Sequence, residues 1–153
     1  MITIMSSTSL TETVDILLVE DQPYDAELAL RAFDQLGIEK IVQVGDGAAA
    51  LDFIYGREEY AGRSPQDPPR LILLDLKLPK VSGLEVLEAL KSDERTRHIP
   101  VITFSSSEEA QDICRCYELG VNSYIVKPVD FDEFTETVQK IGTYWLKMNQ
   151  IVC

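Results

Sequence analysis

Five residues stand where an aliphatic run stops, and their types could do chemistry together. Leu71-Ile72-Leu73-Leu74 runs into Asp75, Ile16-Leu17-Leu18-Val19 into Glu20-Asp21, Val101-Ile102-Thr103-Phe104 into Ser105, and Tyr124-Ile125-Val126 into Lys127-Pro128. Short unbroken apolar runs read as parallel strands buried on both faces. Open α/β sheets place their ligands at the carboxyl ends of such strands, so the residues should converge on one small surface. Three carboxylates crowded there repel one another, and a hard divalent cation relieves the repulsion. Magnesium suits the set, because it takes a few carboxylates, keeps several waters and leaves room for a phosphate oxygen. Singly, each signal has a plainer reading. Glu20-Asp21 before Pro23 would serve as a helix cap, Asp75 could start the turn before Pro79, and Lys127-Pro128 could simply end a strand.

Together, the acidic pair, then Asp75, then Ser105 thirty residues on and Lys127-Pro128 fifty-two residues on, resemble the receiver domain of two-component response regulators. The resemblance covers about residues 14 to 147. It implies that Asp75 is the phosphoacceptor and that Mg2+ is held by Glu20, Asp21, Asp75 and the backbone carbonyl of Lys77. It also implies that Lys127 contacts the acyl phosphate and that its bond to Pro128 is cis. The Ser105 hydroxyl would move toward the phosphate and draw Tyr124 inward, remaking the surface of the fourth helix, fifth strand and fifth helix. In-line transfer to Asp75 needs orientation and charge neutralisation more than proton chemistry, which the cation and the Lys127 ammonium would supply. Lys77, two after Asp75, and Ser107, two after Ser105, stand where they would tune loss of the phosphoryl group. A long cation and a hydroxyl there imply slow self-dephosphorylation.

The resemblance implies a sensor histidine kinase as donor, a downstream protein whose identity the sequence does not give, and no enzyme activity beyond self-phosphorylation and dephosphorylation. A narrower resemblance, to the stand-alone regulators paired with phytochrome kinases, rests on the Pro-rich stretch before Leu71, on Asn122 to Pro128, and on Tyr144-Trp145-Leu146.

The elements that must position these residues alternate. Pro23 opens a first helix with an apolar face of Leu28, Phe33 and Leu36, ended by Gly37, and Ile41 to Val44 is a short second strand. Asp46 caps a helix over Ala48 to Tyr55, and Gly56 to Pro69 reads as an exposed loop. Ser82 with Glu85, Ser106 with Glu109 and Asp130 with Glu133 open the next three helices, and Gly120 closes the fourth. Phe131, Phe134, Val138, Ile141, Trp145 and Met148 form the core stripe of the fifth helix, while Tyr144 and Leu146 fall off it. Asp25, four after Asp21, reads as a solvated residue of the first helical turn, with tuning of the metal as the alternative. The fold class is α/β, a doubly wound (βα)5 flavodoxin-like receiver fold with a five-stranded parallel sheet. The boundaries are a flexible leader over 1–13, the receiver over 14–147 and a tail over 148–153.

Composition narrows the function classes. With 153 residues the chain fits one core of ordinary size, and a net charge of −12 argues against binding nucleic acid. No apolar stretch reaches the roughly 18 residues of a membrane span, and residues 1–13 lack a basic start and an apolar segment, so the chain is expected to be cytoplasmic. Cys114 and Cys116 fall about 200° apart on a helix and do not form a chelating pair; with Cys153 they read as reduced thiols, two packed or half-buried and one in the tail. His98, beside Ile99-Pro100, lies at the opposite end of its strand from the acidic cluster. A haloacid-dehalogenase-type phosphatase would need a second acid where Lys77 stands, and a flavodoxin-like cofactor binder would need a phosphate-cradling loop where Glu20-Asp21 stand. A phosphate-independent interaction module is the remaining rival. The apolar surplus of Tyr144, Leu146, Ile151 and Val152 leads us to expect a homodimer through the fourth helix, fifth strand and fifth helix, the alternative being a tail folded back over its own core.

Overall fold

In the computed structural model, which describes residues 2–4 and 13–150, four apolar runs and Ile41–Val44 form one parallel sheet. Its strands are β2 (Ile16–Val19), β3 (Ile41–Val44), β4 (Leu71–Leu74), β5 (Val101–Ser105) and β6 (Ser123–Val126). A sixth, β1 (Ile2–Ile4), pairs antiparallel with the outer edge of β3, giving the order β1-β3-β2-β4-β5-β6. The leader expected to be flexible thus contributes an edge strand. Its three residues satisfy backbone groups of β3 that would otherwise face solvent. The rest of the leader and residues 151–153, with Ile151, Val152 and Cys153, lie outside the described residues.

Alternation along each strand builds two cores. Leu17 and Val19 of β2 face α2 (Gly47–Tyr55) and α3 (Gly83–Ser92), while Ile16 and Leu18 face α1 (Pro23–Asp34) and α5 (Phe131–Gly142). The remaining helix, α4 (Ala110–Glu118), follows β5 and buries only Cys116. Cys114, expected to be at least half-buried, is exposed, since it points away from that single anchoring position. The chain steps from β2 to β3 on one side and to β4 on the other, so the carboxyl ends of β2 and β4 flank the crevice where strand order reverses.

Helix starts follow the sequence at three of four capping positions. Asp46, Ser82 and Asp130 each accept a hydrogen bond from the backbone N–H three residues on. Ser106 does not cap its helix. Helix α4 begins at Ala110, because Ser107 captures the preceding loop: its hydroxyl donates to the Asp112 carboxylate (2.6 Å) and accepts from the Glu109 N–H (3.3 Å). The Gly56 to Pro69 stretch is not simply exposed. It holds a short helical turn, Glu58–Tyr60, that buries Tyr60 edge-on against Phe53 with ring centroids 5.2 Å apart, and it lays the Arg63 guanidinium 4.3 Å from the centre of the same ring.

At the far end, Thr143–Met148 continue α5 as a wider π-helical turn. The extra residue per turn rotates the end of the helix, so Leu146 is turned into the core and Met148 is exposed, the reverse of a continuous α-helical stripe. Phe131, also assigned to the stripe, is exposed at the first turn, whereas Phe134, Val138 and Ile141 are buried.

The turn after β4 is held by close backbone approach. A Cβ on Gly83 would lie 2.2 Å from the Asp75 carbonyl oxygen and 2.6 Å from Leu76 Cα, and the Gly83 N–H donates to the Leu76 carbonyl at 2.9 Å. Gly83→Ala should therefore lower stability by about 1–3 kcal/mol, because a backbone atom must move to admit the methyl group. Urea unfolding checks this, and a midpoint equal to that of the wild type would contradict the packing described.

Candidate functional site

The hydrogen-bond ladder runs one step past each strand and so fixes the residue just beyond it. The Glu20 N–H donates to Val44 at the end of β3 (3.0 Å), the Asp75 N–H to Val19 at the end of β2 (3.1 Å), and the Lys127 N–H to Ser105 at the end of β5 (2.8 Å). Val19 is paired with Leu74, which places Glu20 and Asp75 side by side. Oxygens of Glu20, Asp21 and Asp75 all lie within 4.8 Å of one another. The structure thus brings together the three carboxylates singled out from the sequence.

Lys127 reaches into this group from the far side. Its Nζ lies 2.7 Å from Glu20 Oε1, 2.9 Å from Asp75 Oδ2 and 3.0 Å from Asp25 Oδ2. The lysine, Glu20 and Asp75 side chains are each no more than 8% exposed, whereas Asp25 is 27% exposed. Burial by itself would lower the pKa of Lys127, but hydrogen bonding and attraction to Glu20, then attraction and hydrogen bonding to Asp75, raise it above its ordinary value. The ammonium stays charged. Burial pushes Glu20 up to about 7, against the pull of Lys127 and with a further push from Asp75. One cation faces more carboxylates than it can neutralise, and hard oxygen donors at this spacing fit a divalent metal ion.

Asp25 is the residue that sequence reasoning placed wrongly. It is half-buried and bonded to Lys127, not solvated, because the first turn of α1 points it back over the strand ends. Gln43 was missed. Its side-chain amide donates to the Glu20 carbonyl at 2.8 Å and braces the strand end from β3.

Ser105 is fully buried, and its hydroxyl accepts from the Ser107 N–H at 3.2 Å. The Tyr124 hydroxyl donates to the Ser107 carbonyl at 2.8 Å, so both groups meet the loop between β5 and α4. Burial raises the Tyr124 phenol above its ordinary range, with hydrogen bonds to Ser107 and Ser105 opposing. Lys77 is exposed and lines an open cleft of about 680 Å³ with Ser106, Ser107, Glu108, Glu109 and Asp112. All peptide bonds among the described residues are trans. The Lys127-Pro128 bond is therefore not cis as the resemblance implied, in line with the intrinsic preference of X-Pro bonds for trans by about 0.5–1 kcal/mol.

Known proteins share this fold. A family model described as the response regulator receiver domain matches residues 16–139. The probable methanogenesis regulatory protein FilR2 of Methanothrix harundinacea is 46% identical over 88% of this chain and 85% of its own length. Response regulator Rcp1 of Synechocystis is 38% identical over 86% of this chain and 88% of its own. Its Mn2+-bound crystal structure superposes with a TM-score of 0.83, at 36% identity over 90% of this chain and 98% of that one. The phosphorylated cyanobacterial phytochrome response regulator RcpA superposes with a TM-score of 0.86, at 36% identity over 93% of this chain and all of its own.

The raised Glu20 carboxyl gives a signed pH dependence in the presence of a chelator. Between about 4.5 and about 7 the folded protein keeps a proton on Glu20 that the unfolded chain has released, so stability falls as pH rises through this window. The contribution is about 3 kcal/mol at most. Urea unfolding at pH 5 and 7.5 should show this fall in the wild type and a flatter profile in Glu20→Gln; parallel profiles would contradict the assignment.

Proposed function

Since this chain belongs to the response regulator receiver domain family, we propose that it accepts a phosphoryl group on Asp75 from a sensor histidine kinase and passes the signal on by a change of shape. The observation that carries this reading is the Asp75 carboxylate, 2.9 Å from the Lys127 ammonium and grouped with Glu20 and Asp21 at the point where strand order reverses. In the transfer an Asp75 carboxylate oxygen bonds to phosphorus while the bond from phosphorus to the donor's histidine nitrogen breaks. The electron pair leaves with the imidazole, which takes up a proton. Glu20, Asp21, Asp75 and the Lys77 backbone carbonyl would hold Mg2+, which neutralises charge developing on the phosphoryl oxygens. The Mn2+-bound form of Rcp1 supports a divalent ion, and the hard carboxylate donors favour magnesium.

Lys127 orients the phosphoryl group from the opposite side. Ser105 would turn its hydroxyl from the Ser107 N–H toward a phosphoryl oxygen, and Tyr124 would give up the Ser107 carbonyl and move inward. Roughly two added negative charges are thereby read as a movement of the loop before α4. Lys77 and Ser107 would slow loss of the phosphoryl group: the exposed Lys77 would have to swing over the acceptor to crowd attacking water, and Ser107, engaged with Asp112 and Glu109, would not orient that water. The exposed Tyr24, Val129 and Phe131 flank Asp25 and Lys127 in sequence and offer an apolar rim to a docking kinase. Likeness to RcpA, and to a bacteriophytochrome response regulator 46% identical to this chain, supports a kinase of the phytochrome type, and the exchange would take place in the cytoplasm. Among the described residues no helix is long and apolar enough to cross a membrane.

With magnesium and a small-molecule phosphodonor the wild type should gain one acid-labile phosphoryl group. Asp75→Ala or EDTA should abolish it, and labelling that survives either change would contradict the reading.

The face of α4, β6 and α5 supports self-association. All four residues of β6 are only half-buried, α4 hides little of its surface, and Tyr117, Phe131, Tyr144 and Met148 are exposed on these elements or at their ends. Leu146, counted in the surplus by sequence, belongs to the core and leaves that argument. Light scattering coupled to size exclusion should report a dimer at high micromolar concentration that weakens in Tyr144→Ser with Met148→Ser; a monomeric wild type contradicts the proposal.

A further inference from the structure

We propose that Asp25 is a positioning residue that keeps the Lys127 ammonium over the site when metal and phosphoryl group compete for its other partners. The inference rests on the reading of Asp75 as phosphoacceptor. An ammonium has three N–H bonds, and Lys127 meets three carboxylates, at Glu20, Asp75 and Asp25. Two of these have a second role. Glu20 and Asp75 belong, with Asp21, to the group of oxygens within 4.8 Å of one another that fits a divalent ion, and Asp25 does not.

Binding of a cation draws on the lone pairs of Glu20 and Asp75, and phosphorylation converts one Asp75 oxygen to an ester-like one. Asp25 is then the partner that Lys127 retains. Its place is set independently of the strand ends. Pro23 opens α1, the Ala26 N–H closes the first turn on the Gln22 carbonyl at 2.9 Å, and a carboxylate in that turn is favoured by the helix dipole. Without Asp25 the ammonium falls back on Glu20 and Asp75 and competes with the metal for them. The effect of losing Asp25 must therefore depend on Lys127.

A double-mutant cycle tests this with Mg2+ itself as the probe, by calorimetric titration of the wild type, Asp25→Asn, Lys127→Met and the double variant. Asp25→Asn should weaken Mg2+ binding about tenfold when Lys127 is present. In the Lys127→Met background it should change binding by less than about twofold. Equal losses in both backgrounds overturn the proposal, because Asp25 would then act on the metal directly, and so does the absence of loss in either. Should Lys127→Met fail to fold, magnetic resonance of the Lys127 ammonium at saturating Mg2+ decides: a slowly exchanging signal in the wild type that is lost in Asp25→Asn supports the anchor, and its persistence overturns it. A wild type that neither binds Mg2+ nor accepts a phosphoryl group overturns both this role and the reading of Asp75. A wild type that does both, with a flat cycle, removes Asp25 alone.

Discussion

The contact of one ammonium with three carboxylates at the carboxyl edge of the sheet is the constraint on which the site depends. Lys127 comes from the outermost parallel strand, Glu20 and Asp75 from two central ones, and Asp25 from the helix that leaves the first. Burying these charges is costly unless each finds a partner, and the partners exist only when all four segments are folded together. The site is therefore a product of the whole sheet. Burial, with a smaller push from Asp75, raises Glu20, and the excess of negative charge in the group leaves room for a further cation.

Backbone geometry converts this electrostatic demand into a fixed arrangement. The ladder carries the Glu20, Asp75 and Lys127 N–H groups onto the last carbonyls of neighbouring strands, so the side chains start from braced backbone. The turn after Asp75 is pressed between two helix starts. A Cβ on Gly83 would collide with the Asp75 carbonyl, and one on Gly47 with the Val81 carbonyl. The other side of the site is tied to the loop between β5 and α4. Ser105 and Tyr124 both end on Ser107, which in turn binds Asp112 in the first turn of α4. These bonds run from Ser105 of β5 and Tyr124 of β6 through Ser107 to the first turn of α4.

Much of this was legible in the sequence because it is local. An aliphatic run followed by a polar residue marks a buried strand and its end, and four such runs give the parallel order and the convergence of Glu20, Asp21, Asp75, Ser105 and Lys127. Caps at Asp46, Ser82 and Asp130 were legible for the same reason. The features that were missed depend on distant contacts or on small changes of helical phase. Asp25 and Lys127 are 102 residues apart, and nothing around Asp25 distinguishes it from a solvated first-turn carboxylate. The π-helical turn exchanges the environments of Leu146 and Met148 without any signal in hydrophobic spacing. Ser106 and Glu109 have the spacing of a capping box, yet Ser107 competes for the same loop and delays α4. The edge strand Ile2–Ile4 is too short to be recognised without the β3 edge that receives it.

If the charge imbalance is the organising feature, a divalent ion should settle among Glu20, Asp21 and Asp75 and loosen Lys127 from two of its carboxylates. The most direct measurement is the anomalous scattering of Mn2+ in crystals of the wild-type protein. One strong peak is expected at about 2.0–2.3 Å from oxygens of these carboxylates, with the Lys127 ammonium still bonded to Asp25. A peak held by other residues, or no peak while Lys127 keeps all three contacts, would contradict it.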